Sequence, residues 1–198
     1  AVSWWRFEDK AQDEIGENHG TPYGPTATSG RYGKAYRFDG VDDLINISND
    51  ASLNFGTRNF TLSLWLKTNG VNTYGLINKR IGGNPGGPGY MIRMSYGAPY
   101  ARISDGVTSP LANGFVGATS SLNNNQWHQL VVVFQRGNQA RGYLDGLLTS
   151  PTLNIAPITG SINNNTDLYI GVQESFALPF NGIIDEVIIF NRSLTANE

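Results

Sequence analysis

The segment Phe60-Thr-Leu-Ser-Leu-Trp-Leu-Lys67 alternates with a period of two. Phe60, Leu62, Leu64 and Leu66 fall on one face, and Thr61, Ser63, Trp65 and Lys67 on the other. A helix cannot hold such a set on one side, whereas a half-buried strand requires it. Trp127-His-Gln-Leu-Val-Val-Val-Phe-Gln135 is apolar on both faces, as a central strand of a sandwich should be. Arg141-Gly-Tyr-Leu-Asp-Gly-Leu-Leu148 reads as a strand, an Asp-Gly turn and a second strand. Asp167–Gly171 and Gly182–Phe190 complete the strong set, and no long stretch carries helical periodicity. Many short strands separated by turn residues predict an all-β, two-sheet antiparallel sandwich of the jelly-roll type.

The 198 residues suffice for one such domain over 1–198, and 39% hydrophobic content gives it a core without staples. There is no cysteine, which excludes a disulfide framework and thiol chemistry. A formal charge of -2 leaves no basic footprint for nucleic acid or an anionic membrane surface. No apolar run is long enough for membrane insertion. Ile81-Gly-Gly-Asn-Pro-Gly-Gly-Pro-Gly89 must be a loop. Sequons at Asn46, Asn59, Asn164 and Asn191 are compatible with an extracellular surface. The chain opens in a strand and ends just past its last one, so a module of a larger secreted or surface protein is expected.

Several motifs then carry a family likeness. Trp5-Arg-Phe-Glu8 and Gly30-Arg-Tyr-Gly-Lys-Ala-Tyr-Arg-Phe-Asp-Gly-Val-Asp-Asp43 open the chain. Phe60–Trp65, Trp127-His128, Tyr143-Leu-Asp-Gly146 and Phe180-Asn-Gly-Ile-Ile-Asp-Glu-Val187 follow in order, running on to Asn191-Arg-Ser-Leu194. Together they resemble the laminin G-like, concanavalin A-like lectin/glucanase superfamily over nearly the whole chain. The likeness is specific for fold and poor for function, because that superfamily holds lectins, binding modules, adhesion domains and hydrolases.

Glycosidases need paired carboxylates on one sheet surface, which on a strand means acids two residues apart. None of the 16 acidic residues forms such a run. Asp42-Asp43 and Asp185-Glu186 are adjacent, so in regular strands each pair is expected to face opposite surfaces. His19 lies in a polar loop, and His128 in the Trp-His strand is expected to be a core or supporting residue. Gln126-Trp-His128 resembles an element of polysaccharide lyases, but the Tyr- and Arg-bearing partner motifs are not recognisable. The chain is expected not to be an enzyme.

Asp185 and Glu186 interrupt Ile183-Ile184 and Val187–Phe190. A carboxylate among branched aliphatics needs a cation, a metal or backbone donors. One reading is a salt bridge to Lys34, Arg37 or Arg192; the other is a structural calcium, which takes carboxylate and carbonyl oxygens. The resemblance implies the second, with Asp185, the carbonyl of Gly33 and Glu8 as ligands that tie the first and last strands together.

In this fold, recognition is expected on loops and on the concave sheet. The segment Tyr74–Asp105 concentrates aromatic and Arg residues, and its expected ligand contacts are Arg80, Arg93, Tyr96, Tyr100, Arg102 and Asp105. Aromatics stack on sugar rings, and Arg and Asp pair with hydroxyls. Met91, Arg93 and Ser95 are expected on one strand face, with Tyr90, Ile92, Met94 and Tyr96 on the other. Glu174, in the loop before Pro179, forms a second patch, and Trp65 is either in the groove or under a loop. The sequence therefore favours an extracellular carbohydrate-binding module for a polysaccharide or glycan. The alternative is an adhesion or assembly domain for a protein or cell-surface partner, and a hydrolase or lyase ranks last.

Overall fold

The computed structural model describes residues 1–82, 86–108, 112–117 and 122–198. In chain order the strands are β1 (Ser3–Trp5), β2 (Gly20–Tyr23), β3 (Thr26–Ser29), β4 (Lys34–Asp39), β5 (Leu44–Ile47), β6 (Phe60–Lys67), β7 (Thr73–Arg80) and β8 (Gly89–Ser95). After them come β9 (Ala98–Ser104), β10 (Ala112–Phe115), β11 (Trp127–Phe134), β12 (Gln139–Leu144), β13 (Leu147–Leu148), β14 (Leu153–Asn154), β15 (Leu168–Ile170) and β16 (Asn181–Phe190). Short 3-10 turns at Ala51–Leu53 and Glu174–Phe176 are the only helical pieces among the described residues. The loop expected over residues 81–89 lies partly outside the described residues.

The strands form two antiparallel sheets. The first runs β13-β12-β11-β6-β16-β4-β3, with β1 also on β16 and β14 on β12. The second runs β10-β9-β8-β7-β15-β5-β2. The alternation of β6 settles how they face: Phe60, Leu62, Leu64 and Leu66 are all fully buried in the shared core. Leu130, Val132 and Phe134 of β11 join them, in register with Leu64, Leu62 and Phe60. From the second sheet come Tyr90, Ile92 and Met94, so the expected alternation of β8 holds up to Met94.

Aromatic packing fixes the sheets to each other. Phe60 stacks between Phe55 (4.6 Å) and Phe134 (4.4 Å), and Tyr90 tilts against Phe60 at 4.9 Å. The buried Tyr90 hydroxyl donates to the carbonyl of Leu53 at 3.0 Å, so the polar tip is satisfied inside the core. The expected Asp-Gly turn joins β12 to β13, with positive φ at both Asp145 (51°) and Gly146 (82°), as a type I′ turn requires. His128 anchors that turn through Nδ1 to Asp145 Oδ2 at 2.7 Å, and its Nε2 meets Asn124 Oδ1 at 3.0 Å. Asn164 is only 8% exposed and its Nδ2 donates to the carbonyls of Lys79 and Pro88, so that sequon is not a surface acceptor.

Candidate functional site

Pairing registers lay a polar row across the outer face of the second sheet. Asn113, Arg102, Met91, Asn78, Tyr169 and Asn46 sit side by side on β10, β9, β8, β7, β15 and β5. Next to it run Phe115, Tyr100, Arg93 and Gly75. Gly75 is required there, because a Cβ would lie 2.3 Å from the backbone of Val172. The segment 172–179 therefore crosses the sheet at that point, tied by Gly75 N–H to the carbonyl of Leu178 at 2.8 Å. It divides the face into two clefts. One, of about 590 Å³, is lined by Thr73, Arg93, Ser95, Tyr96 and Pro179. The other, of about 390 Å³, is lined by Asn78, Arg80, Asp167, Tyr169 and Phe176.

Arg93 and Tyr100 form the best-defined pair on this face. The guanidinium stands 4.1 Å from the ring centroid, and Nη1 donates to Gln173 Oε1 at 3.3 Å. The ring in turn meets Phe115 edge-on at 5.3 Å, and its hydroxyl donates to Asn113. A charged fork lying on an aromatic plate is rigid and bears donors at its rim.

Of the residues expected to contact a ligand, Arg80, Arg93, Tyr100 and Arg102 share this outer face. Tyr96 leaves the alternation: it occupies the β8–β9 turn with φ 51° and is 72% exposed, at the rim of the first cleft. Asp105 does not serve as an open acceptor. Its Oδ1 accepts from the N–H groups of Val107 and Thr108, and its Oδ2 from Gly160 N–H and the Thr108 hydroxyl. Burial pushes this carboxyl up, but those bonds outweigh it and hold it at about 2. The Glu174 side chain lies outside the described residues. Lys79, from the same segment, points inward: its ammonium donates to Asn49 Oδ1 and the carbonyl of Thr166, both at 2.7 Å. Asn46, Tyr169 and Asn113 reach the face from distant segments through strand pairing, for which the local sequence carries no signal.

The expected metal ligands gather around the loop between β3 and β4. Asp185 is fully buried, and its Oδ2 accepts from the amides of Arg31 (2.8 Å) and Tyr32 (3.1 Å). Its Oδ1 is buried without a hydrogen-bond partner. Burial, with the charge of Glu186 beside it, pushes the carboxyl up to about 6 against those amides. Glu8 Oε2 accepts from Lys34 N–H at 3.1 Å, and Gly33 has φ 55° where a Cβ would lie 2.1 Å from Glu8 Oε1. Two of the three cations expected as alternative partners are engaged elsewhere: Lys34 with Asp9, and Arg192 with Glu198 at 2.6 Å.

The expectation that Asp185 and Glu186 face opposite surfaces is overturned. Asp185 pairs with Trp65, but the next paired residue is Ile188 with Ser63, so a bulge lies between them. Glu186 takes φ 50° there, which turns its side chain back to the face of Asp185 and Trp65. Trp65 is likewise placed on the outer face of the first sheet, under Arg31 and Tyr32, rather than in the groove of the second.

The profile of the Concanavalin A-like lectin/glucanases superfamily matches residues 39–198. No curated protein sequence matches the chain significantly. Among solved structures, the binding domain of Paraclostridial Mosquitocidal Protein 1 superposes with a TM-score of 0.79 at 20% identity, over 99% of this chain and 49% of that one. Domain 4 of AbnA, a GH43 extracellular arabinanase from Geobacillus stearothermophilus solved with arabinotriose, gives 0.74 at 18%, over 99% and 94%. The binding domain of botulinum neurotoxin DC, solved with rat synaptotagmin II, gives 0.72 at 13%, over 99% and 49%. The chain thus spans about half the length of the toxin binding domains and nearly all of the arabinanase domain. At these identities the likeness is one of fold.

Proposed function

We propose that this chain, which belongs to the concanavalin A-like lectin/glucanases superfamily, is a non-catalytic carbohydrate-binding module of an extracellular protein. The observation that carries the reading is the Arg93–Tyr100 plate, flanked by Arg102 and Asn113 on one sheet face. Such a face offers ring-stacking surface and paired donors for hydroxyls. The near-complete match to a discrete domain solved with arabinotriose supports both the single module and the ligand class. The non-catalytic reading is supported by Asp185: although it shares a face with Glu186, it is fully buried and held by two amides, out of reach of a glycosidic bond.

Calcium belongs to the same proposal as a structural ion. The residues fit: Asp185 has a buried oxygen without a partner, and Glu8 and the Gly33 carbonyl stand at the same loop. The ion would neutralise Asp185 and tie the segment after β1, the 30–33 loop and β16 together.

A second reading, recognition of a protein at a cell surface, is favoured by one patch. Phe176 is 63% and Tyr23 55% exposed, and together with Leu44 and Tyr169 they line an apolar hollow. A polysaccharide and glycan array, run with calcium and with EDTA, separates the two readings. Binding that is lost in Arg93→Ala supports the carbohydrate module. Silence of folded protein across the array transfers the assignment to the protein partner.

A further inference from the structure

The first sheet carries a built cleft of its own, on the side of the sandwich away from Arg93 and Tyr100. Trp4, Ser63, Trp65, Gln129, Glu186 and Ile188 line a space of about 520 Å³. Tyr32 closes one edge, its ring meeting Trp65 edge-on at 5.9 Å. Arg31 caps the pair, its guanidinium 4.8 Å from the Trp65 centroid and 5.1 Å from that of Tyr32.

Glu186 forms the floor. It is 8% exposed, Oε2 accepts from Trp4 Nε1 at 2.5 Å, and Oε1 lies 3.8 Å from Arg6 Nε. A left-handed backbone at a glutamate is strained, and here the strain is what turns the carboxylate into the cleft. A regular strand would have put it on the other face of the sheet.

The lining decides the class of ligand. A cation would meet guanidinium groups already stacked on the rings, Arg6 on Trp4 at 5.4 Å and Arg31 on Trp65. An anion would meet the Glu186 carboxylate on the floor. A neutral polyhydroxylated ring is repelled by neither charge: its hydroxyls suit the stacked guanidiniums, the Glu186 carboxylate and the amide of Gln129. The cleft also continues past Ser63, Gln129 and Ile188 into a hollow of about 220 Å³ bordered by Val131, Tyr143 and Leu194. That gives room for more than one ring.

We propose that the cleft between Trp4, Trp65 and Glu186 is a second saccharide site, for a neutral glycan chain, on the sheet opposite the Arg93–Tyr100 face. It needs no residue of that face, so either site can fail alone.

The test follows the indole N–H signals of the 15N-labelled protein while cellohexaose, xylohexaose, mannohexaose and arabinohexaose are titrated separately to millimolar concentration. With at least one probe, the signals of Trp4 and Trp65 should move and saturate. Trp5, fully buried and bonded to the carbonyl of Asn18, should stay in place. The shifts should persist in Arg93→Ala. In Glu186→Gln the affinity should fall about tenfold, as for one lost charge-assisted hydrogen bond. Arg31→Ala, on an exposed loop, should also weaken binding and leaves the bulge untouched. Trp4 and Trp65 signals that ignore all four probes overturn the proposal. So do shifts that vanish in Arg93→Ala, or an affinity that both other variants leave unchanged.

Discussion

Asp185 and Glu186, neighbours in sequence, present their carboxylates to the same side of β16 because a bulge separates the Asp185–Trp65 and Ile188–Ser63 pairs. The bulge falls where β16 changes partners, from β4 at Ile184 to β1 at Val187. The gap between those two partners is where the 30–33 loop enters and donates its amides to Asp185. One local irregularity therefore produces both the buried acid and the carboxylate floor of the cleft.

Removing that buried charge should release its cost. In metal-free protein at pH 7, Asp185→Asn should be at least as stable as wild type, because it deletes a carboxyl pushed up to about 6 by burial. Adding calcium should raise the wild-type melting temperature and leave that of Asp185→Asn in place. Differential scanning calorimetry with calcium and with EDTA reads both. EDTA that changes nothing in demonstrably metal-bearing wild type removes calcium from this loop.

Gly33→Ala probes the same loop from its other side. The left-handed φ of 55° should cost about 1 kcal/mol for any residue with a Cβ. The added methyl would also displace Glu8, whose Oε1 stands 2.1 Å from its position. Stability without calcium should thus fall slightly, and the calcium-induced shift should shrink in addition. A full calcium shift in this variant would place Glu8 outside the ion's ligands.

How much of this was legible in the sequence follows from how local each signal is. The alternation of Phe60–Lys67 and the Asp145-Gly146 turn depend on neighbouring residues, and both stand as the sequence implies. The bulge at Glu186 depends on β1 and β4 sharing one edge of β16, which no local pattern encodes. The same holds for the row that brings Asn46, Tyr169 and Asn113 beside Arg102: it is a product of register. Asp105 read as a ligand contact because it sits near Tyr100 and Arg102, yet its partner Gly160 lies 55 residues away. Charged groups near strand ends are thus the least legible class here, since their roles depend on which distant loop covers them.

The two tyrosines near Arg93 should differ in effect. Tyr100→Ala removes the plate under the guanidinium, so glycan affinity on that face should fall by about 1–2 kcal/mol. Tyr96→Ala truncates an exposed turn residue at the rim, and its effect should be smaller. Isothermal titration with a glycan found on the array orders the two. An inverted order would move the binding surface to the β8–β9 turn.

Asp105 should reveal itself through acid stability rather than binding. Its carboxyl is held at about 2, below the ordinary 3.8, so between those values the unfolded chain binds more protons than the folded one. Stability then rises with pH across that window. The contribution is fully present above about pH 4 and is lost as pH falls through the folded value, amounting to roughly 2 kcal/mol. Asp105→Asn should lose a similar amount at pH 7, because one oxygen that accepts from Gly160 or the Thr108 amide is replaced by a donor. Wild type and variant should converge as pH approaches 2. Urea unfolding at pH 7, 4 and 2.5 measures the difference directly. A gap that stays constant across the three values would mean that the charge of Asp105 does not stabilise the 105–108 turn.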